Sequence, residues 1–194
     1  MNTPLPIATL LLAAGSSSRL GEPKQLVRFG ESTLLRHAAE IALSAALGPV
    51  YVVLGCHEAA CRDTLADLAV EIVSHPGWAE GLGSSIAAGM RHIDESRHRA
   101  ALLLLSDQPL LTSADLQSLA RLLPGPEIVA TDHGGAMGPP ALFAAALFPA
   151  LRALRGPEGA KSLLRDSTAL ASIPCPRAAI DIDTPADVVR LREA

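Results

Sequence analysis

The sequence predicts an α/β protein with a largely parallel central sheet. Short aliphatic runs alternate along the chain with stretches of helical periodicity, the pattern left by helices laid over a parallel sheet. Composition agrees. Hydrophobic residues make up 49% and charged residues 19%, as in an ordered globular chain, while aromatic residues supply only 3%, so the core must be aliphatic. A length of 194 residues suits one domain, residues 1–194, and is long enough for a substantial core.

Taken in order, Ile7–Ala13 is an unbroken apolar run and reads as the first strand. Ser32–Leu47 is predicted helical, with Ser32 or Thr33 as its cap and Gly48-Pro49 as its stop. Val50–Leu54 reads as a second strand, His57–Leu68 as a short helix and Val70–Val73 as a third strand. Leu82–Ile93 is helical, and Ala101–Leu105 is a fourth, fully buried strand. Ser113–Leu123 reads as a helix ended by Pro124-Gly125-Pro126. Ile128–Ala130 and Ala141–Phe143 are short strands around a glycine-rich turn. Ala144–Leu154 and Glu158–Arg165 read as helical, with Pro149 expected to kink or break the former. Ala179–Ile182 is predicted as a late strand, and Pro185–Arg192 as a terminal helix with proline at its first position. No repeat, low-complexity tract or linker interrupts the series. Ligands of an open parallel sheet sit beyond the carboxyl ends of its strands. The loops after the first, third and fourth strands should therefore face one cleft.

Net charge is −4, which argues against nonspecific nucleic-acid binding, a property that usually needs a basic surface. Cys56, Cys61 and Cys175 form neither a zinc set nor a disulfide framework, and reduced thiols in a cytosolic protein are the simpler reading. Residues 5–14 are apolar but too short to span a bilayer, and no positive region of a signal peptide precedes them. The expectation is a soluble, cytoplasmic protein without a membrane partner.

The loop after the first strand carries the most chemistry. Residues 12–26 read Leu-Ala-Ala-Gly-Ser-Ser-Ser-Arg-Leu-Gly-Glu-Pro-Lys-Gln-Leu, with the skeleton Gly15-x3-Arg19-x-Gly21-x2-Lys24. Two cations and several free backbone amides thus share one loop at the end of a buried strand, the combination a triphosphate needs. Glycine permits close approach and positive φ. Arg19 offers a planar fork of donors and Lys24 a mobile point charge. The loop is neither a P-loop, which has four residues between its glycines and Lys-Ser/Thr immediately after, nor the dinucleotide fingerprint. The plain alternative is a strand-to-helix turn bearing two surface cations.

Three further segments and two single residues stand out. Ser106-Asp107-Gln108-Pro109 ends a buried strand, so Asp107 lies where a carboxylate can hold Mg²⁺, or else where it caps a turn. In Asp181-Ile182-Asp183-Thr184-Pro185-Ala186-Asp187, strand alternation would put Asp181 and Asp183 on one side; helix capping by Asp183 or Thr184 is the structural alternative. Gly81-Leu82-Gly83-Ser84-Ser85 enters a helix and could offer free N–H groups and hydroxyls to a base or phosphate, or an ordinary cap. Trp78 could stack on a ligand or simply pack. His133, beside Gly134, could approach a substrate; the other histidines read as ordinary surface or helix residues.

The phrase Leu-Ala-Ala-Gly…Arg-x-Gly-x-Pro-Lys-Gln-Leu resembles the N-terminal signature of the nucleotidyltransferases with a GT-A-like fold. It is most similar to the molybdenum cofactor cytidylyltransferase branch, whose guanylyl counterparts usually carry Gly where this chain has Ala14. The resemblance runs from Ile7 to Arg192 with the motifs in family order. It implies a Rossmann-like three-layer sandwich and a Mg²⁺-dependent transfer of CMP from CTP to the phosphate of a molybdopterin-type cofactor, with release of pyrophosphate. By this resemblance the catalytic residues are Arg19, Lys24 and Asp107. Nucleotide contacts come from Leu12, Ala13, Ala14, Gly15, Ser16, Arg19, Lys24, Gly83 and Ser85, and the metal ligands are Asp107 and Asp183, with Asp181 a lesser candidate. The acceptor side falls to Gly138, in a segment where the family has Gly-x-Pro-x-Leu-Phe, and to Lys161, which replaces the family's arginine. A molybdoenzyme or its chaperone is an implied partner. Two other functions fit the same residues: a nucleotidyltransferase that uses GTP or acts on a sugar or alcohol phosphate, and a non-catalytic nucleotide- or cofactor-binding chaperone.

Overall fold

The computed structural model describes residues 6–184 and 186–189. A seven-stranded sheet has the spatial order β5-β4-β1-β6-β8-β7-β9. Its strands are β1 (Ile7–Ala13), β4 (Val50–Leu54), β5 (Glu71–Ser74), β6 (Ala100–Leu105), β7 (Ile128–Asp132), β8 (Met137–Ala144) and β9 (Leu170–Pro174). Only β8 runs against its neighbours, pairing antiparallel with both β6 and β7. β1 lies parallel between β4 and β6, with Leu11 opposite Val52 on one side and Leu104 on the other. The helices are α1 (Leu34–Ser44), α2 (Glu58–Asp63), α3 (Leu82–Met90), α4 (Ser113–Arg121), α5 (Phe148–Ala153) and α6 (Lys161–Asp166).

The period of two along buried strands builds two cores. Leu11, Val52, Leu54, Leu102 and Leu104 face Leu35 and Ala39 of α1 and Leu116 and Leu119 of α4. The alternate residues Leu10, Leu12, Val53, Leu103 and Phe143 face Ile86 and Met90 of α3 and Phe148 and Leu151 of α5. The result is the expected three-layer α/β sandwich with a mostly parallel sheet. The chain winds outward from β1 through β4 to β5, then returns to the other side of β1 as β6. A crevice opens at such a reversal, beyond the carboxyl ends of the two strands, and Ala13–Ala14 and Leu105–Asp107 both end there.

Several elements depart from the sequence reading. Ser32–Thr33 is a short strand, β3, paired with β2 (Arg28–Phe29) around Gly30 at φ 57°. Helix α1 therefore starts at Leu34, capped by Thr33, whose hydroxyl accepts the Arg36 N–H at 3.3 Å. The helix expected over Ala144–Leu154 is divided beside Pro149: α5 starts at Phe148 and the proline sits in its first turn, where no intrahelical N–H is needed. A 3-10 turn over Ala145–Leu147 precedes it. The edge strand β9 was not foreseen: its residues are half-buried or exposed, so it carries no apolar run. Conversely, the strand expected over Ala179–Ile182 does not form. Pro176–Ala179 is a 3-10 turn and the following residues are irregular; with no strand, period-two alternation does not apply to Asp181 and Asp183. Residues 186–189 are helical, as expected, while Pro185 and Arg190–Arg192 of the expected terminal helix lie outside the described residues.

Candidate active site

The loop after β1 is folded around a buried glutamine. Gln25, 1% exposed, donates its amide to the carbonyls of Ala13 at 3.0 Å and Gly15 at 2.7 Å. Its own oxygen accepts from the Ser17 hydroxyl at 3.3 Å. Ser17, in the left-handed region at φ 57°, accepts the Lys24 backbone N–H on the same oxygen at 2.9 Å and the Leu20 N–H on its carbonyl at 3.0 Å. Gly21 also needs the left-handed region, at φ 82°. These bonds fix the exit from β1 and deliver Lys24, on a 3-10 turn (Lys24–Leu26), to the mouth of the crevice. Beneath the loop Leu20, Val27 and Leu34 pack with Ile182 and Val188, so one small apolar cluster holds the first loop and the chain's last described segment together.

That clustering brings together charges far apart in sequence. Lys24 Nζ contacts Asp107 Oδ2 and lies 3.1 Å from Asp183 Oδ1. Arg19 Nη2 lies 2.9 Å from Asp183 Oδ2 with its own side chain 76% exposed. Asp107 lies in the turn just after β6 and is 7% exposed; its carbonyl accepts the Ile182 N–H at 3.0 Å, which sets Asp183 beside it. Burial works against the charge on Lys24, but Asp107 and Asp183 outweigh it and hold the ammonium above its usual range. Burial likewise pushes the Asp107 carboxyl up, aided by nearby Asp181 and opposed by Lys24. Asp107 Oδ1 is buried without a hydrogen-bond partner. Capping occurs as well: Asp187 accepts from the Thr184 N–H at 2.8 Å and hydroxyl at 2.7 Å. Capping thus uses Thr184 and Asp187 and leaves Asp183 to the cations.

Two adjoining cavities lie beside this cluster. The first, about 360 Å³, is lined by Leu12, Ala13, Ala14, Gly15, Ser16, Lys24, Gln25, Trp78, Ser85 and Asp107, among others. It is walled by the loops after β1, β5 and β6, the three expected to share a cleft. The second, about 410 Å³, shares Leu12, Leu82 and Leu105 with it and adds Gln108, His133, Pro139, Phe143, Lys161 and Asp181. Arg19 lies outside both, on a small cleft with Lys24 and Asp183.

Not every candidate reaches a cavity. Gly83 is buried against the next loop: its N–H donates to Gly156 O at 2.8 Å, and a Cβ there would stand 2.5 Å from Arg155 O. Its amide is therefore engaged, and its smallness serves packing. The Ser84 and Ser85 hydroxyls bond back to Gly81 O at 2.8 and 3.4 Å, so neither caps the helix. Gly138 is buried behind the wall of the second cavity, its carbonyl accepting from Thr131 Oγ1 at 2.9 Å. Two polar residues were passed over in the sequence. Gln25 has the role above, and its signal lay in the Lys-Gln-Leu of the loop phrase. Gln108 donates to Pro139 O at 2.9 Å and Ala178 O at 2.7 Å, tying β8 and the late 3-10 turn to the end of β6.

A parallel-sheet crevice with a basic loop after β1 and a carboxylate after β6 is an arrangement suited to the phosphates of a nucleotide. The chain belongs to the family of the MobA-like NTP transferase domain, whose model matches residues 9–172. It is 28% identical to the purine catabolism protein PucB of Bacillus subtilis over 200 residues, 95% of each chain. It is 37% identical to the nicotine blue oxidoreductase of Paenarthrobacter nicotinovorans over 125 residues, 63% of this chain and 58% of that one. Among solved structures, Rv0371c of Mycobacterium tuberculosis superposes with a TM-score of 0.88 at 27% identity over 100% of both chains. A complex of Rv0371c with manganese matches with a TM-score of 0.83 at 25% identity, over 99% of this chain and 100% of that one.

Proposed function

We propose that the protein is a divalent-metal-dependent cytidylyltransferase that transfers CMP from CTP to the phosphate of a molybdopterin-type cofactor and releases pyrophosphate. The observation that carries this reading is the convergence of Arg19, Lys24, Asp107 and Asp183 at the edge of the first cavity, which adjoins a second across Leu12, Leu82 and Leu105 and so leaves one space for each reactant. CTP would occupy the first cavity, its base between Ala14 and Ser85 and its phosphates over Gly15 and Ser16. Arg19 and Lys24 would hold the triphosphate and the leaving pyrophosphate. The second, more apolar cavity suits a flat heterocycle, with Lys161 on its wall as a counter-charge for the acceptor phosphate. An oxygen of that phosphate attacks the α-phosphorus, the bond to pyrophosphate breaks, and no covalent enzyme intermediate is required. Catalysis is then positioning and charge stabilisation.

The site fits a metal of the Mg²⁺ type. Among the described residues no group of three His, Cys, Asp or Glu side chains could hold a metal, but Mg²⁺ in phosphoryl-transfer sites is bound by one or two carboxylates plus substrate phosphates. Asp107 and Asp183 already share one cation, Lys24, and Asp107 Oδ1 has spare acceptor capacity. When bound, the metal would neutralise phosphate charge and help orient both phosphates. The manganese complex of Rv0371c supports a divalent-cation requirement here.

Pyrophosphate release measured with each of four NTPs, with and without molybdenum cofactor, tests the proposal. Release only with CTP and cofactor is the expected result. Release with a sugar or alcohol phosphate instead would reassign the acceptor, and cofactor binding without any release would make the protein a chaperone. The same reading makes a molybdoenzyme the eventual recipient of the product. Among the described residues no helix is long and apolar enough to cross a membrane, and the three cysteines are unpaired.

A further inference from the structure

Three of the four carboxylate oxygens of Asp107 and Asp183 are occupied by the protein's own cations. Lys24 takes one oxygen from each residue, Arg19 takes the other oxygen of Asp183, and only Asp107 Oδ1 has no partner. An ammonium held between two carboxylates satisfies the same electrostatic demand as a metal bridging them. A metal cannot use both carboxylates while Lys24 stands between them, because two cations would then share one pair of anions at short range.

We propose that Lys24 is an internal counter-ion that closes the metal position of the free protein and leaves it when a triphosphate draws the ammonium away, so that nucleotide and divalent cation bind with positive cooperativity. The inference rests on the nucleotidyltransferase reading for the identity of the ligand and on the ion-pair geometry for the device. The anatomy suits a side-chain swing. The Lys24 backbone is pinned through Ser17, while its four-carbon stem is flexible and carries a point charge with no fixed bonding plane. Arg19 is mostly exposed, so its ion pair with Asp183 is weak and easily exchanged for phosphate. Because the coupling is a difference in affinity between two states of the site, it acts equally on both ligands: metal tightens nucleotide as nucleotide tightens metal.

The test is Mn²⁺ binding to the full chain, followed by electron paramagnetic resonance, for wild type, Lys24→Met, Lys24→Gln and the double variant Lys24→Met/Asp107→Asn. Thermal melts establish that each is folded. Without nucleotide, both single variants should bind Mn²⁺ about 10- to 100-fold more tightly than wild type, the usual span of coupling between sites. The double variant should lose that gain, which locates it at Asp107. The ratio of Mn²⁺ dissociation constants without and with saturating CTP should shrink in Lys24→Met. Folded Lys24 variants that bind free Mn²⁺ no more tightly than wild type would overturn the proposal, as would a gain that survives loss of Asp107. Neither result touches pyrophosphate release, and a failure of that release with every nucleotide would leave the metal titration unchanged.

Discussion

Replacing Gln25 by methionine is expected to loosen the nucleotide loop without disturbing the sheet. The side chain is 1% exposed and methionine matches its length, so the packing cost is small. What disappears is the pair of amide donors to Ala13 O and Gly15 O, at 3.0 and 2.7 Å, and the acceptor for the Ser17 hydroxyl. Each lost hydrogen bond of this kind is worth about 1 kcal/mol, and a carbonyl left unpaired in a buried position costs more. The sum is roughly 2–4 kcal/mol, read from the midpoint of urea unfolding. The loss falls on the exit from β1, which aims Lys24 and the Gly15–Ser16 backbone. A displacement of about 1 Å in positioning groups can cost roughly 100-fold in rate. Pyrophosphate release should therefore fall about 10- to 100-fold at protein concentrations and temperatures where the variant is fully folded. A Gln25→Met protein with unchanged stability and unchanged turnover would refute the claim that this glutamine organises the loop.

Other perturbations separate site from scaffold. Asp107→Asn should abolish metal-dependent turnover; turnover that persists in EDTA would remove the metal from the reaction. Ala14→Gly takes one methyl from the wall of the first cavity and should reduce the preference for CTP over GTP in kcat/KM by about tenfold or more, as one methyl in a pocket does. Gly83→Ala should destabilise by about 1–3 kcal/mol, because its Cβ would meet backbone at 2.5 Å and the gain in helix propensity, about 1 kcal/mol, is smaller; a rise in Tm would refute the packing role. His75 is held below 6.5, mainly by burial beside Ser84, helped by Arg91 and opposed by Glu80. The unfolded chain then takes up this proton first, so stability should fall as pH drops below 6.5 and level off below the native pKa; His75→Gln should flatten that segment of the denaturation midpoint against pH.

Much of this protein was legible in the sequence because its informative segments are local. The apolar runs of β1, β4 and β6 are buried on both faces and so need no partner to be recognised, and Thr33 and Pro149 obey rules that act within one turn. The spacing of Arg19, Gly21 and Lys24 and the strand-end position of Asp107 can likewise be read from a few residues each. Tertiary structure decided what depends on distant backbone. β9 forms because β7 offers an edge to pair with, not because its own residues are apolar. Asp183 comes to Lys24 because Ile182 packs under the loop and bonds to Asp107 O, whereas the expected strand would have placed it by alternation. Gly83 is small for the sake of a loop more than 70 residues away, and Gln25 acts on carbonyls that precede it by 10 and 12 residues. In each case the deciding contact joins groups that no local periodicity relates.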